Sequence, residues 1–192
     1  MNVIATNCAG SYVMTRNNSP LGNPFVWAFI PYKSIREMLT RFPLIKYTNV
    51  KLLPSFKWKG TYTLRIDDCV DIHYIHYHQN PAEKTLKVHN HDVSYYKIQD
   101  YILERYMVRL KRMQHLKEEP RFLILQNNSA GTTEEFIDLY THTPVTKYRI
   151  CWGVFDNLKI PLKPNTIRIG SSELPIAIVN RCYPTIYTYL YG

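Results

Sequence analysis

One thiol stands where a nucleophile is useful. Val3, Ile4 and Ala5 form a short apolar run, Thr6 and Asn7 end it, and Cys8 follows with Gly10 close behind. This pattern predicts a buried strand, a turn relaxed by glycine, and a short helix from Cys8 to about Arg16 with Tyr12 and Val13 facing inward. A thiol at a helix N-terminus is expected to have a lowered pKa, because unpaired N–H groups and the helix dipole favour the thiolate. A thiolate beside a general base is a nucleophile. The other cysteines, Cys69, Cys151 and Cys182, are far apart in sequence and lack CxxC spacing. They read as small core residues, not as a disulfide frame or a zinc site.

Five of the seven histidines fall in one window: His73, His76, His78, His89 and His91. Residues two apart on a strand share a face, so His76 with His78, and His89 with His91, form same-face pairs. A hairpin of two such strands is a weak metal signal, and no zinc or cofactor motif accompanies it. The more economical use of a histidine is as base for Cys8, oriented by a third group. Two pairings fit: His91 with Asp92 at the start of a long helix, and His76 on a strand that also carries Asp71.

The elements that must position these groups alternate in type. Ser34 to Phe42 reads as a helix, with Ser34 and Glu37 at capping-box spacing. Tyr47 to Tyr77 reads as strands, and Val70 to His78 is the most strand-like stretch. Val93 to Lys117 carries an apolar stripe at helical spacing, with Asp92 as its N-cap. Phe122 to Leu125 suits a buried parallel strand. Thr132 to Tyr140 is a second capping-box helix. Tyr148 to Phe155, Thr166 to Ile169 and Ile176 to Val179 read as closing strands. Together these predict one α/β (α+β) domain over residues 1–192, with a mixed, largely parallel sheet flanked by helices.

Composition bounds the rest. The chain has 192 residues, 45% of them hydrophobic and 14% aromatic, which is a folding composition. No apolar run approaches the roughly 20 residues a membrane helix needs, and no signal-peptide pattern opens the chain, so a cytoplasmic location (host cytoplasm or virion for a viral protein) is expected. The net charge is +9. That permits a polyanion partner, yet the charges are scattered and no nucleic-acid signature is present, so nucleic acid is not the favoured partner. Arg105, Arg109, Lys111 and Arg112 cluster on one helical segment and could hold phosphate or carboxylate groups.

The stretch Ile4-Ala5-Thr6-Asn7-Cys8-Ala9-Gly10-Ser11, followed by Asn18-Ser19-Pro20 and Asn23-Pro24-Phe25-Val26-Trp27, resembles two related bacterial groups. One comprises papain-like cysteine peptidases of unknown function; the other is associated with exopolysaccharide biosynthesis. The resemblance covers roughly residues 1–126, including His91-Asp92, Glu104 to Arg112 and Phe122 to Leu125; in an alternative alignment, Asp71 to Tyr77 is similar to an aspartate-then-His-Tyr strand of the second group. It implies a cysteine-dependent hydrolase or acyltransferase acting on a peptide, an acyl group or a glycan-linked ester. Cys8 would be the nucleophile, His91 or His76 the base, and Asp92 or Asp71 the orienting group; backbone N–H groups after Cys8 are expected to stabilise an oxyanion. The alternative expectations are a non-catalytic structural protein such as a virion component with a protein assembly partner, and a polyanion-binding module.

Overall fold

The structure is a computed structural model. It describes residues 3–16, 28–41, 49–54, 62–73, 78–80, 85–88, 91–94, 122–126, 130–144, 148–170 and 172–191. The protein is a mixed α/β structure. Its N-terminal strand β1 (Val3–Ala5) leads into helix α1 (Ala9–Arg16), and helix α2 (Tyr32–Arg41) follows. Then come β2 (Val50–Pro54), β3 (Tyr62–Ile66), β4 (Val70–His73), β5 (His78–Asn80), β6 (Thr85–Val88) and β7 (His91–Ser94). After β8 (Phe122–Gln126) the chain runs through helix α3 (Thr133–His142), β9 (Arg149–Phe155), β10 (Thr166–Ile169) and helix α4 (Pro175–Tyr191).

The described strands form three sheets. One is parallel, in the order β1-β8-β9-β10; the others, β2-β3-β4 and β5-β6-β7, are antiparallel. The sheet content is therefore mixed, and the expectation of a largely parallel sheet is corrected. The β8-α3-β9 unit is the parallel crossover that the apolar run at Phe122 anticipates.

Side chains alternate across the parallel sheet. On one face Ile4, Ile150, Trp152 and Val154 pack with Ile35 and Met38 of α2 and Phe136, Leu139 and Tyr140 of α3. On the other, Ala5 and Cys151 pack with Ala9 and Val13 of α1 and Val179, Cys182 and Ile186 of α4. The larger cluster continues through Leu64, Ile66, Val70 and Ile72 of the β2-β3-β4 sheet.

A short extended segment joins the two sheets. Phe29 exchanges both backbone bonds with His73, at 2.8 and 2.9 Å, and the Ile30 N–H donates to the Thr6 carbonyl at 3.2 Å. Helix α2 then lies along the edge of β4. The backbone N–H of Asp71 donates to the Ser34 hydroxyl at 2.9 Å. The tight turn from β3 to β4 is made without glycine: Asp67 and Asp68 hold φ of 48° and 56°. Their carboxylates accept from the Asn49 backbone at 3.0 Å and from Lys51 at 2.7 Å, bonds to the start of the neighbouring β2 that help offset the left-handed cost.

Three expected elements differ. Helix α2 begins at Tyr32, with the Ile35 N–H bonded to the Pro31 carbonyl at 3.0 Å. Proline pre-sets the first helical turn, so Ser34 falls inside the helix and caps a strand edge instead. Residues 176–179 are helical within α4, not a strand. His91, Asp92, Val93 and Ser94 form β7, so Asp92 is not a helix cap; residues 95–117 of the expected long helix lie outside the described residues.

Candidate functional site

Cys8 sits in the turn between the carboxyl end of parallel strand β1 and the first residue of α1. In α/β sheets this edge is where sites are built, because the loops there are free to vary while the strands hold them in place. The local sequence makes the turn by itself. The Asn7 side chain accepts from the Ala9 N–H at 2.9 Å, and the Cys8 carbonyl accepts from Ser11 and Tyr12 at 3.0 and 3.2 Å. Asn7, not the thiol, is the capping side chain. The N–H groups of Ala9 and Ser11 are thereby committed inside the turn, which leaves them poorly placed for the expected oxyanion role.

The thiol itself is buried, 6% exposed. Burial pushes its pKa up to about 11, outweighing a lowering backbone hydrogen bond. The expectation of a lowered pKa is therefore overturned: desolvation of the charged form exceeds the help of the helix terminus. Tyr12 lies close enough to sense it. The Tyr12 hydroxyl is raised first by its own partial burial and then by the charge that Cys8 would carry.

The expected partners of Cys8 are spread out. Asp71 gives both carboxylate oxygens to Arg65, at 2.8 and 2.9 Å, so it already anchors a guanidinium. His91 and Asp92 are neighbours in β7, opposite Val88 and Lys87 of β6. His76 and His89 lie outside the described residues. His78 stands opposite Lys87. Among the described residues no three His, Cys, Asp or Glu side chains are grouped to hold a metal ion.

The histidine tied to the Cys8 strand is His73. Its Nδ1 lies 2.7 Å from the Thr63 hydroxyl, directly across β3. Its backbone pairs with Phe29, whose neighbour Ile30 bonds to Thr6, two residues before Cys8. The Phe29 and His73 rings are 6.3 Å apart. Two strand spacings of about 4.8 Å thus separate the His73 backbone from the end of β1. The sequence carried one signal for this: His73 ends the alternating run Val70-Asp71-Ile72-His73, whose burial alternates as a two-sided strand should. No pattern around His73 points to Thr63 as its partner.

The other thiols divide by environment. Cys151 and Cys182 are buried in the cluster between β9 and α4. Cys69 is half-buried: it packs against the rim of the main core, donates toward the Ile66 carbonyl at 3.7 Å, and also lines an open polar cleft beside α2. No helix among the described residues is long and apolar enough to cross a membrane. No protein-family model matches the chain, and a search of curated proteins finds no match.

Proposed function

We propose that the protein is a cysteine-dependent hydrolase or acyltransferase, with Cys8 as nucleophile and His73 as general base. The observation that carries this reading is the position of Cys8 at the carboxyl end of β1, joined through the Thr6–Ile30 and Phe29–His73 backbone bonds to an oriented histidine. The resemblance of residues around Cys8 to papain-like peptidases and to exopolysaccharide-associated proteins supports the same chemistry, with a peptide or a glycan ester as acyl donor.

The steps follow from the resting thiol. With a pKa near 11 Cys8 is protonated at neutral pH, so the base must take the proton as the substrate is attacked. The proposed step requires the S–H proton to pass to His73 Nε2, since Nδ1 is held by Thr63, so ring and thiol must close from the two strand spacings between their backbones to hydrogen-bond reach. The sulfur bonds to the acyl carbon, and the bond from that carbon to the leaving oxygen or nitrogen breaks. His73 returns the proton to the leaving group. Water, for a hydrolase, or an acceptor hydroxyl, for a transferase, then attacks the thioester, and its proton returns through His73 to the Cys8 sulfur. Thr63 is a positioning residue that fixes the ring.

The test is acyl transfer from p-nitrophenyl acetate, read by mass spectrometry of the intact protein and its peptides. The expected result is one acetyl group on Cys8, lost in Cys8→Ser. His73→Gln should slow acylation by about 10²–10⁴-fold, while His76→Gln and His91→Gln should leave it near wild type. Acetyl groups spread over Cys69 and lysines, unchanged by Cys8→Ser, would overturn the reading. Loss of acylation in His91→Gln but not His73→Gln would replace the base.

A further inference from the structure

A second feature is independent of Cys8. An open cleft of about 390 Å³ lies between α2 and the polar face of β3 and β4, within the size range of small-molecule sites. Lys33, Glu37 and Arg41 enter it from α2, where spacing of four places them on one helix face. Arg65, Asp68 and Asp71 enter it from the strands and their turn.

The acceptors and donors of this cleft are unequally used. Asp71 spends both oxygens on Arg65 Nε and Nη2. Asp68 accepts from Lys51 at 2.7 Å and from the Asn49 amide at 3.1 Å. The Lys51 hydrogen bond lowers its pKa against a smaller raising by desolvation, so it stays ionised and occupied. The cations are less committed. Lys33 is exposed and makes no ion pair among the described residues. Arg41 reaches Glu37 only at 3.7 Å, beyond hydrogen-bond range, with its side chain half exposed. Arg65 makes both of its bonds to Asp71 through Nε and Nη2. A molecule entering the cleft meets two carboxylates already held by cations, a third, Glu37, only loosely paired to Arg41, and nitrogen donors with capacity to spare. The complement of that surface is an oxyanion, which accepts several charge-assisted bonds at once. The charged lining offers little to an apolar body.

We propose that this cleft binds a small phosphate-class oxyanion, either inorganic phosphate or the phosphate of a monoester, through Lys33, Arg41 and Arg65. Glu37 competes for Arg41 and is displaced on binding. That competition gives the proposal a signature that general positive charge lacks: removing one carboxylate inside the cleft strengthens binding, and removing one elsewhere does not.

The experiment is isothermal titration of the full chain with inorganic phosphate and, separately, glucose 6-phosphate, at matched ionic strength. Saturable one-to-one binding is expected. The exposed pair Lys33→Ala with Arg41→Ala should weaken it at least about tenfold, equivalent to about 1.4 kcal/mol. Glu37→Gln should tighten it by about twofold to threefold, while Asp156→Asn, which removes an exposed carboxylate outside the cleft, should leave it unchanged. Tighter binding of the sugar phosphate assigns the site to a monoester; equal affinity assigns it to phosphate alone. No saturable binding of either probe by about 10 mM, a weak limit, would overturn the proposal. So would an unaffected double variant, or equal tightening by Asp156→Asn. These outcomes leave acylation of Cys8 untouched, so either reading can fail without the other.

Discussion

A thiol at the start of a helix is pulled in opposite directions. The helix terminus favours the thiolate by fractions of a kcal/mol to about 2 kcal/mol, whereas burial away from water favours the neutral thiol by more. At Cys8 burial wins, and the pKa rises to about 11; at Cys151, deeper in the core, it rises to about 12. Two results should follow. In the His73→Gln variant, where no base assists the buried thiol, limited alkylation with iodoacetamide at pH 8 should label Cys69 before Cys8, because Cys69 is the half-exposed thiol; peptide mass spectrometry reads the order, and prior labelling of Cys8 in that variant would contradict this burial. Stability should also fall at alkaline pH. The folded-state pKa of Cys8 lies above its unfolded value of 9.0, so its contribution is intact below pH 9 and is lost as pH rises through 11. The loss is about 2–3 kcal/mol, and Cys8→Ala should flatten that part of a urea-denaturation profile taken between pH 8 and 11. The sequence revealed that Cys8 ends a strand and precedes a helix. It did not reveal what covers the thiol, and coverage sets the sign of the shift. His73 was hidden for a similar reason. Five histidines share one window, and only the β3–β4 register, which gives His73 the Thr63 hydroxyl, distinguishes it.

Two identical spacings behave differently at the next scale. Thr132 and Glu135 form a complete capping box at α3: the Glu135 N–H donates to the Thr132 hydroxyl at 3.2 Å, and the Thr132 N–H donates to the Glu135 carboxylate at 2.9 Å. Ser34 and Glu37 have the same separation but sit within α2, because Pro31 starts that helix earlier. Thr132→Ala should therefore destabilise the protein by about 1 kcal/mol in chemical denaturation, and an unchanged midpoint would mean the cap is not formed in solution. Helix α4 shows a conflict between local preference and packing. Ile176, Ile178 and Val179 favour strands, and Pro184 lies inside the helix. Burial decides: Ile178, Cys182 and Ile186 recur every fourth residue on one buried stripe, with Val179 beside them. Read as an isolated run of four residues, 176–179 resembles a strand; the stripe emerges only over the longer window, which the proline interrupts. Pro184 is exposed, and its ring removes one helix bond. Pro184→Ala should raise the melting temperature, by an amount corresponding to about 1–3 kcal/mol. A lower melting temperature would show that the proline shapes a bend the packing requires.

At the scale of the whole molecule, most helices and the parallel strands were legible from periodicity and turn residues. The division into one parallel and two antiparallel sheets was not. Strand order depends on pairings between distant segments, such as β1 with β8, and nothing within either segment records its partner. The bridge from Phe29 to His73 and from Ile30 to Thr6 belongs to the same class: two residues, without regular strand character of their own, couple two sheets.

The β1–β8 pairing also bears on how the protein is made. Val3 to Ala5 leave the ribosome well before their hydrogen-bonding partners, Phe122 to Ile124. At synthesis rates of about 5–20 residues per second, the first strand waits on the order of ten seconds with its edge unpaired, while α1 and α2 can form locally. The Cys8 turn closes through its own local bonds, but the β1 strand that carries it is paired only after the chain has returned across its own sheet. Long-range pairing of this kind slows folding and prolongs the exposure of apolar edges. The nascent chain is thus most open to capture by chaperones, or to mispairing with a neighbour, during the interval in which its candidate nucleophile is still accessible to water.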